Sequence, residues 1–491
     1  MFAHLPILQV ILPLVAAPSC LIIRKSTLVW LFTLLVSFAA LVVSVLLLQQ
    51  VYAEGAISYR LGGWDAPWGI EYRIDLLNAW VLLIVSALSS VVLTAARTSI
   101  AVELEASRQT VFYALYLLCF AGLLGIVATG DVFNVFVFLE ISSLSTYALI
   151  ALGRDRRALW AAFQYLIMGT IGATFILIGI GFLYMMTGTL NMADLATLIP
   201  AMDQSTTVLA AFAFIFVGIC LKLALFPLHL WLPNAYSCAP SIVTAFLAAT
   251  ATKAALYLLL RFTFTVFGVQ FSLSHLPMDT LLVGLGLVGV FAASGVAIYQ
   301  ANIKRMLAFS SVAQVGYMVV GIGIGTVTAL QATLLHLFNH ALMKGGLFLA
   351  LAGLVYRVGG CRIEHFSGLG RTMPWTMAAI AIGGISLIGM PLTVGFVSKW
   401  YLIAAAIEQQ LWWVAVLVVL GSLLAVVYIW RLVEAAYFQP ANSDAVAEAP
   451  LGILLPAWLL IAANIYFGID TRLPIEVTTA AAQFLIGGTA Q

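Results

Sequence analysis

The chain is 491 residues long; 64% fall in the apolar set Ala, Val, Ile, Leu, Met, Phe, Trp, Tyr and Cys, and only 8% are charged. Soluble domains are nearer about 45–50% apolar and about 25% charged, so this mean hydropathy of +1.12 excludes a soluble domain and implies an all-α polytopic membrane protein. A net charge of +2 with no basic run gives no sign of a nucleic-acid partner. The five cysteines (Cys20, Cys119, Cys220, Cys238 and Cys361) are scattered without a CxxC pair. The sequence therefore offers no iron–sulfur, haem or zinc site, and no cofactor is expected.

In chain order, MFAHLP leads into an apolar run without a basic n-region or a clear small-residue cleavage site. A first span is expected there, not a removed signal. About fourteen segments are long enough to cross a hydrocarbon core of ~30 Å. They lie near 5–23, 28–51, 75–96, 110–128, 131–152, 160–186, 207–229, 241–267, 279–299, 303–323, 327–356, 375–407, 411–438 and 450–469. Thirteen lysines and arginines, among them Arg24, Arg97, Arg154, Lys304, Arg357 and Arg431, fall in or beside the odd-numbered connections. The even connections and the C-terminal tail hold four: Arg60, Arg73, Arg261 and Arg472. That bias puts the odd connections in the cytoplasm, and both termini outside it, in a cell inner membrane.

The four remaining basic residues, Lys222, Lys253, Lys344 and Lys399, lie inside apolar spans, and all are lysine. Lys253 is placed roughly 18 Å along its helix, close to mid-membrane. A lysine there costs on the order of 2.5–3.5 kcal/mol on the insertion scale, so it implies a function or a buried partner. Arginine would stay charged, whereas a buried lysine can release its proton. Pro227, five residues after Lys222, frees the carbonyl of Leu223, and backbone polarity at that depth needs protein or water to receive it. Among the acids, Glu140 alone sits well within a span. It is the natural counter-charge for one lysine, and the residues alone do not say which.

In LLHLFNHALMKGG, His336, His340 and Lys344 recur at i, i+4 and i+8. They line one helix face at ~6 Å per step, as a proton relay requires. A metal site is not expected, because no carboxylate or cysteine shares that face. His229, in FPLHLWLP, has weaker support and is placed near the cytoplasmic mouth. The seventh segment carries Lys222 and Pro227; five segments on, the twelfth carries Pro391, Gly395 and Lys399. Five is odd, so the two units are inverted, with helix breaks expected at Pro227, Pro391 and Gly395. The expected division is helices 1–3 over 1–109, a first repeat of helices 4–8 over 110–267, a second of helices 9–13 over 279–438, and helix 14 with the tail over 450–491.

The runs TGDVFNVFVFLEISSLSTYALIAL, KLALFPLHLWLPNAY, APSIVTAFLAATATKAALYLLLRF, NIKRMLAFSSVAQVGYM, LLHLFNHALMKGGLFL and GMPLTVGFVSKW carry a resemblance. They resemble the antiporter-like membrane subunits of respiratory complex I, of Mrp-type sodium/proton antiporters and of membrane-bound hydrogenases. The resemblance implies that Glu140 and Lys222 form a coupling pair. It also implies that Lys253, His336, His340 and Lys399 continue a hydrated axis, with Lys344 and His229 inside matched motifs. Lys399 and the passage YRLGGWDAPWGIEYRIDLLNAW resemble the Mrp D-type protein. The end of the chain soon after the fourteenth span resembles subunits without the long lateral helix of the largest complex I subunit. The implied function is proton translocation in a cation/proton antiporter, with other membrane subunits, the bilayer, protons and sodium as partners. The alternative is a pump module of a complex I-like dehydrogenase or a membrane-bound hydrogenase; the chain holds no redox centre of its own. A passive scaffold would leave the charged axis unexplained, and a twelve-span sugar or drug carrier would need a polar binding pocket.

Overall fold

The computed structural model describes residues 2–23, 25–275, 277–440 and 446–487; Arg24 and residues 488–491 of the last expected unit lie outside the described residues. Helices α1 (Leu5–Cys20) and α2 (Ser26–Glu54) lead to an antiparallel hairpin, β1 (Ile57–Arg60) and β2 (Glu71–Ile74), whose register pairs Ile57 with Ile74. Then come α3 (Leu76–Glu103), α4 (Ala106–Ala128), α5 (Val132–Ala151), α6 (Arg157–Thr187), the short α7 (Met192–Leu198), α8 (Thr206–Leu223), α9 (Trp231–Cys238) and α10 (Ser241–Leu260). The second half holds α11 (Met278–Ile298), α12 (Ile303–Ile324), α13 (Val327–Val358), α14 (Leu369–Thr372), α15 (Pro374–Ile388), α16 (Val394–Glu408), α17 (Trp412–Phe438), α18 (Leu451–Ile469) and α19 (Arg472–Gly487). Among the described residues, 12 helices are long and apolar enough to cross a membrane. Counting α1 and the divided α15/α16 segment with them accounts for every expected span.

Capping residues set several helix starts. Asp75 accepts the Asn78 amide at 3.1 Å while Asn78 accepts the Asp75 amide at 2.7 Å, a reciprocal cap on α3. Asn302 caps α12 and Thr326 caps α13 in one direction only, their side-chain oxygens accepting the amides of Arg305 and Ala329. Burial separates the helices sharply. The apolar windows of α10 and α12 are 94% buried, against 33% for α2. A helix apolar on every side belongs inside a larger bundle, and α10, α12 and α13 pack together at its centre. They carry most of the intramembrane polar groups.

The two lysine-bearing segments are broken, but not quite where the sequence suggested. The expected single span 207–229 ends at Leu223, where Ala224 turns into the left-handed region at φ 59°, and α9 starts only at Trp231. Pro227 lies within that turn, and the Trp231 indole donates to the Leu221 carbonyl at 2.9 Å. The expected span 375–407 divides after Ile388, with Gly389 at φ 92° and Pro391 in the gap. Gly395 is not a break residue: it is the second residue of α16. It is glycine because a β-carbon there would lie 1.9 Å from the Ser386 carbonyl oxygen.

Two elements were not foreseen. The hairpin occupies the polar stretch ahead of the third span. Helix α19 buries Pro474, Val477, Thr478, Ala481, Ala482 and Leu485, a helical stripe too short and too polar to register as a span.

Candidate functional site

The site comprises buried polar side chains in two groups, one around Lys222 and one from Lys253 and Lys344 through His340 and His336 to Lys399. At one end, α5 brings Ser143 to Lys222, whose Nζ donates to the Ser143 Oγ at 2.7 Å. Glu140 lies one turn before Ser143 and within electrostatic reach of Lys222, but makes no direct ion pair with it. Glu140 is half-buried, and its Oε1 has no hydrogen-bond partner among the described residues. It shares the helix face of Phe133, Val137 and Leu144, all exposed on the outside of the bundle. Glu140 thus lies near Lys222 without direct contact, and the Lys222 ammonium is held by the Ser143 hydroxyl.

In the centre, Lys253 is fully buried on α10 and donates to the Ala248 carbonyl at 2.5 Å and the Thr252 hydroxyl at 3.3 Å. Lys253 acts electrostatically on His336, His340 and Lys344 of α13. The imidazoles of His336 and His340 are nearly parallel, with centroids 6.2 Å apart, as the four-residue spacing predicted. His340 has no partner on either ring nitrogen among the described residues. His336 is held at both: Nδ1 to Ser398 Oγ of α16 at 2.8 Å, and Nε2 to Gln314 Oε1 of α12 at 2.9 Å. Lys344 donates to the Leu307 carbonyl at 2.8 Å and to the Ser310 hydroxyl.

At the far end, Lys399 follows Ser398 on α16. Its Nζ donates to the carbonyls of Leu387 and Ile388, each at 2.9 Å, and sits 4.8 Å from the Tyr317 ring centroid. Those carbonyls close α15, where the helix leaves its last acceptors unpaired and carries partial negative charge. The break thus supplies the ammonium with its counter-charge. His229 is buried in the first break, stacked on Phe226 at 5.2 Å and edge-on to Phe309 of α12 at 6.1 Å, with Nδ1 unpartnered among the described residues.

The family described as NADH:quinone oxidoreductase/Mrp antiporter, TM matches residues 129–425, which contain every one of these groups. The N component of the NADH-quinone oxidoreductase of Desulforudis audaxviator is 45% identical over 92% of this chain and 90% of its own. The D component of the Na(+)/H(+) antiporter of Alkalihalophilus pseudofirmus is 34% identical over 87% and 86%. A chain of the membrane-bound sulfane sulfur reductase, an archaeal respiratory membrane complex, superposes with a TM-score of 0.91 at 32% identity, covering 98% of both chains. The chain belongs to the NADH:quinone oxidoreductase/Mrp antiporter family.

Sequence reasoning missed several polar groups of this family member's interior. Ser143, Gln314 and Ser398 hold the lysine and histidine of the axis; Ser143 stands one helical turn from Glu140 and Ser398 beside Lys399, whereas Gln314 had no such signal. Lys304 was counted as a loop cation, yet it is buried and donates to Ser241 Oγ at 3.0 Å and to the Ala239 carbonyl at 3.3 Å. Glu103 accepts from the same Ser241 amide at 2.8 Å, and both residues line a cleft of about 820 Å³ on the face of the odd connections. Arg261, also counted as a loop residue, is buried against Asp75. A helical step of four from Lys253 through Tyr257 reaches it.

Proposed function

We propose that this chain is a proton-translocating subunit of a multi-subunit cation/proton antiporter, of the Mrp type and similar to its D component. One observation carries the reading: Lys253 on α10 and His336, His340 and Lys344 on α13 are almost completely buried in the middle of the bundle, where an apolar filling would be cheaper. Glu140 tunes the affinity of Lys222 for its proton, and protons pass by way of Lys253, His340 and His336 to Lys399. Lys344 and His229 support the same line. The two broken segments belong to inverted units over 110–267 and 279–438, flanked by 1–109 and 450–491. Sodium crosses within the same assembly. The half-buried Glu140, on a stripe with Phe133, Val137 and Leu144, faces a cation of a neighbouring membrane subunit, since a lone carboxylate at that depth is costly. The odd connections face the cytoplasm and both termini the outside of an inner membrane.

A second reading is favoured by the 45% identity to a component of an NADH-quinone oxidoreductase: the same axis serves as the pump module of a redox-driven complex. One experiment separates the two. The complex is isolated in mild detergent through this chain and reconstituted in vesicles with a trapped pH dye. Sodium-driven proton movement without an electron donor supports the antiporter; movement only with donor and quinone supports the redox pump. No proton movement under either drive contradicts both.

A further inference from the structure

A second ladder runs from the centre of the molecule to the face that carries the even connections. Lys253 and Tyr257 on α10 and Arg261 just past its end recur at i, i+4 and i+8, one helix face at about 6 Å per step. Arg261 opens a π-helical turn, Arg261–Val266, a distortion often found at functional positions. Its guanidinium grips Asp75 with two contacts, Nη1 to Oδ2 at 2.7 Å and Nη2 to Oδ1 at 2.9 Å. Its Nε donates to the Tyr257 hydroxyl at 3.1 Å. The two charged side chains are only 6% and 4% exposed.

Directly beyond this pair lies a vestibule of about 370 Å³. Its walls come from four different connections and from the C-terminal helix: Thr129, Ala196, Thr265 and Leu485 stand on separate elements around it. Asp75, Tyr257 and Arg261 all reach its surface. Lys253 itself is fully enclosed and spends its hydrogen bonds on Ala248 and Thr252. To exchange a proton with solvent on this side it needs a polar way out. A buried ion pair adds little stability over an apolar filling of the same volume. Packing alone therefore gives no reason for a charged pair, joined to a tyrosine, across the line from Lys253 to the vestibule.

We propose that Asp75, Arg261 and Tyr257 form a gate through which Lys253 exchanges protons with the vestibule; the inference rests on the proton-translocating reading. In the structure the gate is shut, with Arg261 gripping both Asp75 carboxyl oxygens. When the guanidinium turns outward into the vestibule, the freed carboxylate accepts the proton that leaves the Lys253 ammonium along water beside the Tyr257 hydroxyl. Asp75 then hands that proton to vestibule water and closes again on Arg261. One proton enters and one leaves, and the gate residues end unchanged. They position and pass the proton, while the axis supplies it.

The test uses the assembled complex in vesicles. Ala196 lines the vestibule and is partly exposed, so Ala196→Cys, in a Cys238→Ala background, creates a reachable thiol outside the proton machinery. This variant is expected to transport normally before treatment, which keeps the test separate from the broader reading. A charged, membrane-impermeant methanethiosulfonate added from the even-connection face should label it and stop transport. Complete labelling by mass with an unchanged rate overturns the proposal, as does failure to label from either face. Asp75→Asn preserves the cap on α3, because asparagine caps as well as aspartate, but removes the titratable group. It should slow proton movement per assembled complex about a hundredfold, the size of a lost acid–base group, while the unpaired Arg261 also lowers thermal stability. Normal transport by assembled Asp75→Asn also overturns the gate. Should that variant fail to assemble, the labelling result decides.

Discussion

The two broken segments each hold a buried lysine, by different means. In the first, Lys222 stands before the break, and its Nζ is held by a hydroxyl from a neighbouring helix, with Glu140 as the nearby charge. In the second, Lys399 stands after the break, and its Nζ is held by the last two carbonyls of the helix that the break ends. The first lysine depends on a removable side-chain charge, half-buried on a helix face whose other residues are exposed. The second depends on a fixed backbone dipole that no neighbour can remove. The two broken segments thus give one end that can be switched and one end that is permanently set. Such an asymmetry gives a proton line a direction.

The comparison can be broken at either end. Glu140→Gln removes the switchable charge and leaves the shape, so it should abolish sodium/proton exchange while the complex still assembles. Full exchange in vesicles carrying normally assembled Glu140→Gln would remove the distinction between the ends. A smaller effect is expected from Gly389→Ala. Its φ of 92° is strained for any side chain, and the added carbon would stand 2.9 Å from the Lys399 Cδ. The strain should lower stability by about 1–2 kcal/mol, and the displaced lysine should lose its grip on the two carbonyls. Transport per assembled complex is expected to fall to a fraction of the normal rate, short of the complete loss expected for Glu140→Gln. An unaltered rate with lowered stability would mean that the carbonyl clamp holds the fold and not the proton.

Much of this was legible in the sequence because a bilayer makes polar groups conspicuous. A lysine or glutamate inside an apolar run cannot be incidental, so Glu140, Lys222, Lys253, Lys344 and Lys399 stood out unaided, and the histidine spacing fixed their shared face. The fourteen-segment count followed from length and hydropathy alone. What the sequence hid were groups whose surroundings are supplied by distant chain. Arg261 and Asp75 are 186 residues apart and each lies at the end of an apolar run, where a charge is ordinarily solvated. Lys304 was hidden in the same way. Gly395 shows the complementary error: glycine beside proline suggests a break, but here the glycine serves close approach of two backbones. Helix α19 escaped because an amphipathic stripe, not an apolar run, defines it.

The central claim is that the axis carries a proton that its lysines take up and release. Lys399 tests it most directly, because its counter-charge is backbone and cannot be disturbed by the substitution. Lys399→Arg keeps the positive charge against the Leu387 and Ile388 carbonyls but cannot release it at physiological pH. The measurement is pH-gradient formation in vesicles, normalised to assembled complex, for Lys399→Arg beside Lys399→Ala. The account predicts that arginine fails almost as completely as alanine. Near-normal transport with arginine, and loss only with alanine, would contradict it and leave Lys399 as a fixed charge in a structural clamp.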